Sequence, residues 1–354
     1  MALSILVVIA VSVIERSAAA SVETLWKEEI IRDWNQINHS IAFRDWQQTF
    51  NKTYTNAKEE EHRFLIFLDN WKMINDHNLA AQHRFTMRLN QFGDLTASEF
   101  RFYVNGPSGT CFRKTSNQSS TTSNTRTSSI NLSKLPSSVD WTNLNGSGKS
   151  YVTPVKNQGK CGSCWAFSAT GSIESHTAIQ KGQTGSQIVS LSEQELLDCS
   201  SSYGNEGCNG GQINQAFKYV IGNQGICTEQ AYPYTAAQGT CQRTTCGTKH
   251  DAIESYTNVK ADNEQQMMEA LTHGPVSMAV EADQSAFQFY SGGILDGLCG
   301  TKLDHAVLMV GYGTESGMDY WKVKNSWGDS WGEAGYVLIC RSCNKNGDKG
   351  ECGV

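Results

Sequence analysis

The sequence predicts an α+β protein in which a helical subdomain and a strand-rich subdomain pack across a cleft, behind a helical N-terminal segment. Three observations lead there. Helical patterns fill residues 163–221 and strand patterns follow after 275, and such segregation builds layered α+β folds. A helical stripe stands well ahead of both, at 59–78. The 354 residues suffice for roughly two domains at about 150 residues each.

At the N-terminus, Ala2 to Ile14 form the one long apolar run, closed by Glu15-Arg16 and followed by Ala18-Ala19-Ala20. It falls well short of the ~20 residues that span a bilayer. Residues 1–20 therefore read as a removable secretory signal. Sequons at Asn38, Asn51, Asn117, Asn131 and Asn145 agree with a glycoprotein on that route. Glu59, Arg63, Phe67, Asn70, Ile74 and Asn78 then recur at gaps of 4, 4, 3, 4 and 4. At ~100° per residue these six share one stripe, predicting a helix that docks apolar and hydrogen-bonding groups together. Residues 115–134 are dominated by Ser, Thr and Asn with little to bury, a linker open to proteolysis.

Ser192 with Glu195 predicts a capping box ahead of Leu196-Leu197. Ile213, Ala216, Phe217, Val220 and Ile221 keep a helical register. Strands are predicted at Val276–Val280, His305–Tyr312, Tyr320–Asn325 and Tyr336–Cys340.

With 10% aromatic and 18% charged residues the chain is globular in composition. Residues 135–354 carry 14 Lys and Arg against 22 Asp and Glu, a net of −8, while 1–134 net +2. A basic segment beside an acidic one suits docking of the first on the second. No basic cluster points to nucleic acid. Of twelve cysteines only Cys111 precedes residue 160, and a secretory route makes them disulfide partners.

The chemistry centres on Gln158-Gly159-Lys160-Cys161-Gly162-Ser163-Cys164-Trp165, with Asp304-His305-Ala306 and Asn325-Ser326-Trp327-Gly328 far downstream. A nucleophilic cysteine needs a base, an orienter for that base and oxyanion donors. Cys164 at a helix start, His305, Asn325 and Gln158 supply one of each.

The segment around Cys164, with His305 141 and Asn325 161 residues later, resembles the papain-like cysteine proteases, and the resemblance covers 135–354. The stripe from Glu59 to Asn78 resembles the inhibitory propeptide of their cathepsin L-like subfamily. A second propeptide motif is nearly matched by Asn90, Phe92 and Asp94, with Arg88 where the family has Gly. The resemblance implies a papain-like fold, with a helical left subdomain and a β-barrel-like right one, preceded by a helical propeptide. It implies a signal at 1–20, a propeptide at 21–134 and a peptidase domain at 135–354, cleaved near Leu135. Cys164 is then the nucleophile, His305 its acid and base, Asn325 the orienter, Trp327 the shield of that bond, and Gln158 an oxyanion donor.

The same resemblance implies disulfides Cys161–Cys208, Cys199–Cys241 and Cys299–Cys352, which leaves Cys164 free and Cys111 over. Cys227, Cys246, Cys340 and Cys343 have no family counterpart and read as additional bridges rather than metal ligands. Gly210 and Gly211 match the wall that pairs with substrate backbone. Ile213, Ala279 and Leu303 match an apolar pocket for the second residue before the scissile bond. The family continues past Cys352 to floor that pocket, so either the pocket is open below or the protein is longer. No cofactor or metal is implied. The expected partners are peptide or protein substrates and the protein's own propeptide, in a likewise expected monomer, in the lysosome, vacuole or exterior. Acid is expected to weaken carboxylate docking contacts and release the propeptide. Two other classes stay open: a silent relative acting as a binding module, and a zinc or redox protein using Cys161-x-x-Cys164 and Cys340-x-x-Cys343.

Overall fold

The computed structural model describes residues 39–107, 109, 111–112, 135–244, 246–341, 343 and 350–354. The expected signal at 1–20, the linker at 115–134 and the sequons at Asn38, Asn117 and Asn131 lie outside them. The chain divides into two compact units, residues 1–69 and 70–354.

In the first unit, helix α1 (residues 39–49) packs on the start of α2 (Ala57–Ala80). Phe43 and Trp46 hold the Phe67 ring at 5.1 and 5.4 Å between centroids. Glu59 serves the helix start: its amide donates to Asn56 Oδ1 and its carboxylate accepts from the Thr55 amide. That exchange satisfies donors a helix terminus leaves open.

In the second unit the stripe's remaining residues explain its mixed chemistry. Ile74 enters the core, while Asn70 Nδ2 donates to the carbonyls of Gly93 and Leu95. Asn78 exchanges two hydrogen bonds with the Met87 backbone. These amides pair the backbone of the returning segment, which has no strand partner on that side. The segment contains strand β1 (Phe85–Met87) and helix α3 (Ala97–Asn105), whose start is closed by a Thr96–Glu99 capping box.

Helices α4 (Cys164–Lys181), α5 (Glu193–Cys199) and α6 (Ile213–Asn223) enclose one core, built on Trp165, Ile173, Leu196, Ala216 and Val220. Ser192 caps the Glu195 amide, but the predicted reciprocal bond is absent. The Glu195 carboxylate is occupied instead by the Cys227 amide, Tyr219 and Asn223.

The strands β2 (Val139–Asp140), β3 (Val276–Val280), β4 (Tyr290–Leu295), β5 (His305–Glu315), β6 (Met318–Lys324) and β7 (Tyr336–Cys340) form one sheet with β1. Its order is β1-β4-β7-β6-β5-β2, with β3 also on β5. The sheet path is open: β1 and β2 end it and do not pair, so the barrel-like expectation is corrected to an unclosed sheet. The second core lies against it, around Phe287, Tyr290, Trp321, Trp327 and Trp331. Phe85, Phe92, Phe100 and Val104 of the N-terminal segment belong to that same core. Helix α7 (Glu264–Leu271) completes it through Leu271.

Candidate active site

Cys164 is the first residue of α4, and no side chain caps that helix start. Its sulfur therefore sits where unpaired amides carry partial positive charge. Ser168, one turn on, ties the helix to the sheet by donating to the Val307 carbonyl at 2.7 Å. Ser277 of β3 donates in turn to the Ser168 carbonyl. The Ala306 amide reaches the Cys164 sulfur at 3.1 Å.

His305 opens β5 and Asn325 follows the last residue of β6. The antiparallel register Leu308↔Lys324 brings both to one end of the hairpin. His305 Nε2 lies 2.8 Å from Asn325 Oδ1, an oxygen that also accepts the Ser326 amide. An acceptor there requires Nε2 to carry the proton. The Nδ1 edge faces sulfur. Trp327 covers the ring at 4.8 Å and is itself 1% exposed.

Cys164 is not free. It is bonded to Cys111, with Cα atoms 5.8 Å apart, and Cys111 Sγ lies 3.4 Å from His305 Nδ1. This corrects the expectation that Cys111 is left over. Two walls hold the chain around Cys111. The amides of Cys111 and Phe112 donate to the Asp304 carbonyl, and the Gly211 amide donates to the Cys111 carbonyl. Gly211 thereby pairs with Phe112 in a parallel bridge. Upstream, Gly106 turns the chain at φ 71°, where a side chain would collide with the Cys208 carbonyl and Gly162. The approach of α3 is set by that turn.

Gln158 is buried. Its Nε2 donates to the Val104 carbonyl at 2.7 Å and to the Cys161 carbonyl at 3.0 Å, and Ser326 Oγ donates to its Oε1. Asn105 Nδ2 donates to Asp304 Oδ2 at 3.0 Å. Burial pushes the Asp304 carboxyl up to about 7, helped by Asp283 and Glu281. Burial likewise lowers His305 to about 4, against the Asn325 bond. The ring is neutral in this state. Nothing in the sequence marked Val104 or Asn105 as parts of the site, and Asp304 and Ser326 stood out only as neighbours of His305 and Asn325.

Arg88 donates from Nη2 to the carbonyls of Ser330 and Gly332, both at 3.1 Å. Trp327 meets Phe92 and Phe100 edge-on, at 5.7 and 5.3 Å. Of the expected pocket residues, Ile213 is buried in the helical core and Ala279 pairs with Ala306 of that same core. Leu303 is half-buried, with its side chain against Gly353.

The remaining bridges are Cys161–Cys208, Cys199–Cys241, Cys227–Cys246, Cys299–Cys352 and Cys340–Cys343. Both C-x-x-C pairs are thus occupied by sulfur–sulfur bonds. The atoms of Cys111, Cys164 and His305 that could ligate a metal lie within 4.8 Å of one another, but the two sulfurs are joined.

Comparison with known proteins gives this geometry its context. The sequence model "Papain family cysteine protease" matches residues 135–354, and "Cathepsin propeptide inhibitor domain (I29)" matches 43–100. The chain is 45% identical over 297 residues to the probable cysteine protease RD21B of Arabidopsis thaliana, covering 84% of itself and 60% of that protein. It is 39% identical to the Arabidopsis probable cysteine protease RDL2, over 99% of this chain and 91% of the relative. Among solved structures, the recombinant stem bromelain precursor superposes with a TM-score of 0.76 at 37% identity, covering 90% of this chain and 96% of that one. Digestive procathepsin L 3 of Tenebrio molitor gives 0.72 at 37%, over 89% and 96%. By these matches the chain belongs to the papain family of cysteine proteases, carrying its cathepsin-type propeptide inhibitor domain.

Proposed function

We propose that the chain is the latent precursor of a cysteine endopeptidase that enters the secretory pathway for a lysosomal, vacuolar or extracellular destination. In this reading residues 1–20 are the signal, 21–134 the inhibitory propeptide and 135–354 the peptidase domain, released near Leu135. Among the described residues no helix is long and apolar enough to cross a membrane. The observation that carries the activity is the His305–Asn325 bond beside a cysteine sulfur at the start of α4.

Once its sulfur is free, Cys164 ionises against the helix terminus and a protonated His305. The thiolate attacks the scissile carbonyl, and the oxyanion is received by Gln158 Nε2 and the Cys164 amide. His305 gives its proton to the leaving amine, leaving an acyl-enzyme, and then draws a proton from the attacking water. Asn325 keeps Nε2 protonated, so Nδ1 is the nitrogen that works. Trp327 keeps water from that bond.

The Gly211 amide, now given to the Cys111 carbonyl, would take substrate backbone after activation, beside Gly210. Ile213, Ala279 and Leu303 favour an aliphatic or aromatic side chain two residues before the cleaved bond. The expected partners are protein or peptide substrates, with the enzyme acting as a monomer.

The test uses protein freed of residues 1–134 under reducing conditions. It should cleave peptides and bind a thiol-directed epoxide at Cys164, and Cys164→Ala should lose both. No labelling and no cleavage in the reduced, processed protein would refute the reading.

A further inference from the structure

We propose that Cys111 and Cys164 form a redox latch, so that the precursor needs a thiol reductant as well as proteolysis to become active. The inference rests on the reading of Cys164 as the nucleophile. Cleavage after residue 112 cannot by itself empty the cleft, because the departing segment stays covalently attached to the nucleophile.

Three independent observations carry it. The first is the bridge itself, buried on both sides: Cys111 and Cys164 are each 0% exposed. The second is a two-sided backbone clamp that delivers Cys111 to that place, from the Asp304 carbonyl on the sheet side and the Gly211 amide on the helical side. The third is cysteine parity. Eleven cysteines lie in 135–354, and five bridges within that region use ten of them. Cys164 alone is left, and the N-terminal segment supplies one cysteine for it.

The exchange balances as follows. A thiolate of a small thiol or a dithiol protein attacks Cys111 Sγ, and the Cys111–Cys164 bond breaks with its electron pair on Cys164. Attack at this sulfur is favoured because the better-stabilised thiolate leaves faster, and Cys164 leaves onto a helix N-terminus beside His305. A second thiolate of the reductant then displaces Cys111 from the mixed disulfide. Two thiols become one disulfide, and both cysteines are reduced. The same step puts the thiolate beside His305, which supplies the negative charge that the neutral ring of the latched state lacks.

Burial sets the order of events. The reductant reaches the bridge only when α3 and the Asp304 clamp loosen, so the latch answers to undocking and redox state together.

The experiment uses the full-length precursor with an inserted site for an exogenous, site-specific protease within 115–134, as wild type and as Cys111→Ser. After cleavage without reductant, wild type should keep its propeptide fragment on a non-reducing gel, and peptide mapping should find Cys111 joined to Cys164. Its activity should rise at least tenfold on adding a thiol. Cys111→Ser should release the fragment and label at Cys164 without reductant. If the two proteins release fragment and label Cys164 equally without reductant, the latch is wrong while the protease reading stands. If neither is active when cleaved and reduced, the protease reading itself fails.

Discussion

Val104 and Gln158 meet across the cleft: the Gln158 side-chain amide donates a 2.7 Å hydrogen bond to the Val104 carbonyl, one residue from the end of α3. The last carbonyls of a helix lack intrahelical partners and carry partial negative charge. One of them therefore stands on the donor assigned to the oxyanion. The propeptide occupies the electrostatic feature of the site as well as its volume.

Replacing Gln158 by Ala is expected to lower kcat of the processed enzyme by about 10²–10³-fold with KM little changed, the usual cost of one oxyanion donor. Steady-state kinetics on a short peptide measures it. A loss under threefold would remove Gln158 from the reaction.

Arg88 departs from the family's glycine and binds two carbonyls of the 330–332 loop. Arg88→Ala should weaken propeptide docking by about 1–2 kcal/mol, since bonds from a charged donor each contribute at this scale and one of these is exposed. Autoprocessing of the precursor should then proceed faster, followed by gel at fixed concentration. Unchanged processing would make the contact incidental.

Between α4 and the sheet, Glu174 is fully buried with Lys156 at 2.8 Å, and Lys156 also holds Glu193. Burial lowers nearby Lys324 to about 8, partly offset by Glu174. Removing one partner of such a cluster strands charge in the interior, so Glu174→Ala should cost about 3–5 kcal/mol in denaturant unfolding. A loss below 1 kcal/mol would show that the cluster is hydrated and adaptable.

Asp304 sets a pH dependence opposite to the expected acid release. It faces Glu281 and Asp283, receives the Asn105 amide and the Ala282 amide, and adjoins His305. A carboxyl raised to about 7 takes up a proton on folding, so its penalty is present above 7 and relieved as pH falls toward 4. His305, lowered to about 4, acts the other way and costs stability as pH falls below 6.5. In Asp304→Asn only the second effect remains. The stability of wild type relative to this variant should therefore rise by about 2–4 kcal/mol between pH 7.5 and 4.5. Parallel lines for the two precursors would rule the assignment out. Acid release must then draw on His305.

The long elements were legible because their patterns are local. The stripe to Asn78 announced α2, and four strand runs announced β3, β5, β6 and β7. Strands β1 and β4 were not, since three residues and a Gly292-Gly293 pair carry no alternation; β1 is made a strand by β4, and β4 by β1 and β7. The capping box at Ser192 failed for a tertiary reason, as Glu195 is claimed from α6 and Cys227. Cys164, His305, Asn325 and Gln158 stood out by type and spacing. The partner of Cys111 did not, because cystine connectivity depends on a clamp formed by Gly211 and Asp304, 100 and 193 positions further along the chain.

Pairing of Thr86 with Gly292 means that the proposed release of residues 1–134 would strip a strand from the sheet and bare the flank of β4. Exposed flanks of this kind invite a second molecule to add on. Glu333 accepts the Gly293 amide at 2.8 Å on the opposite side of the strand, because the next amide, that of Ile294, faces Arg84. The Ile294 amide, which donates to the Arg84 carbonyl across this seam, is the donor left open on the bared margin, and an added strand would pair there first.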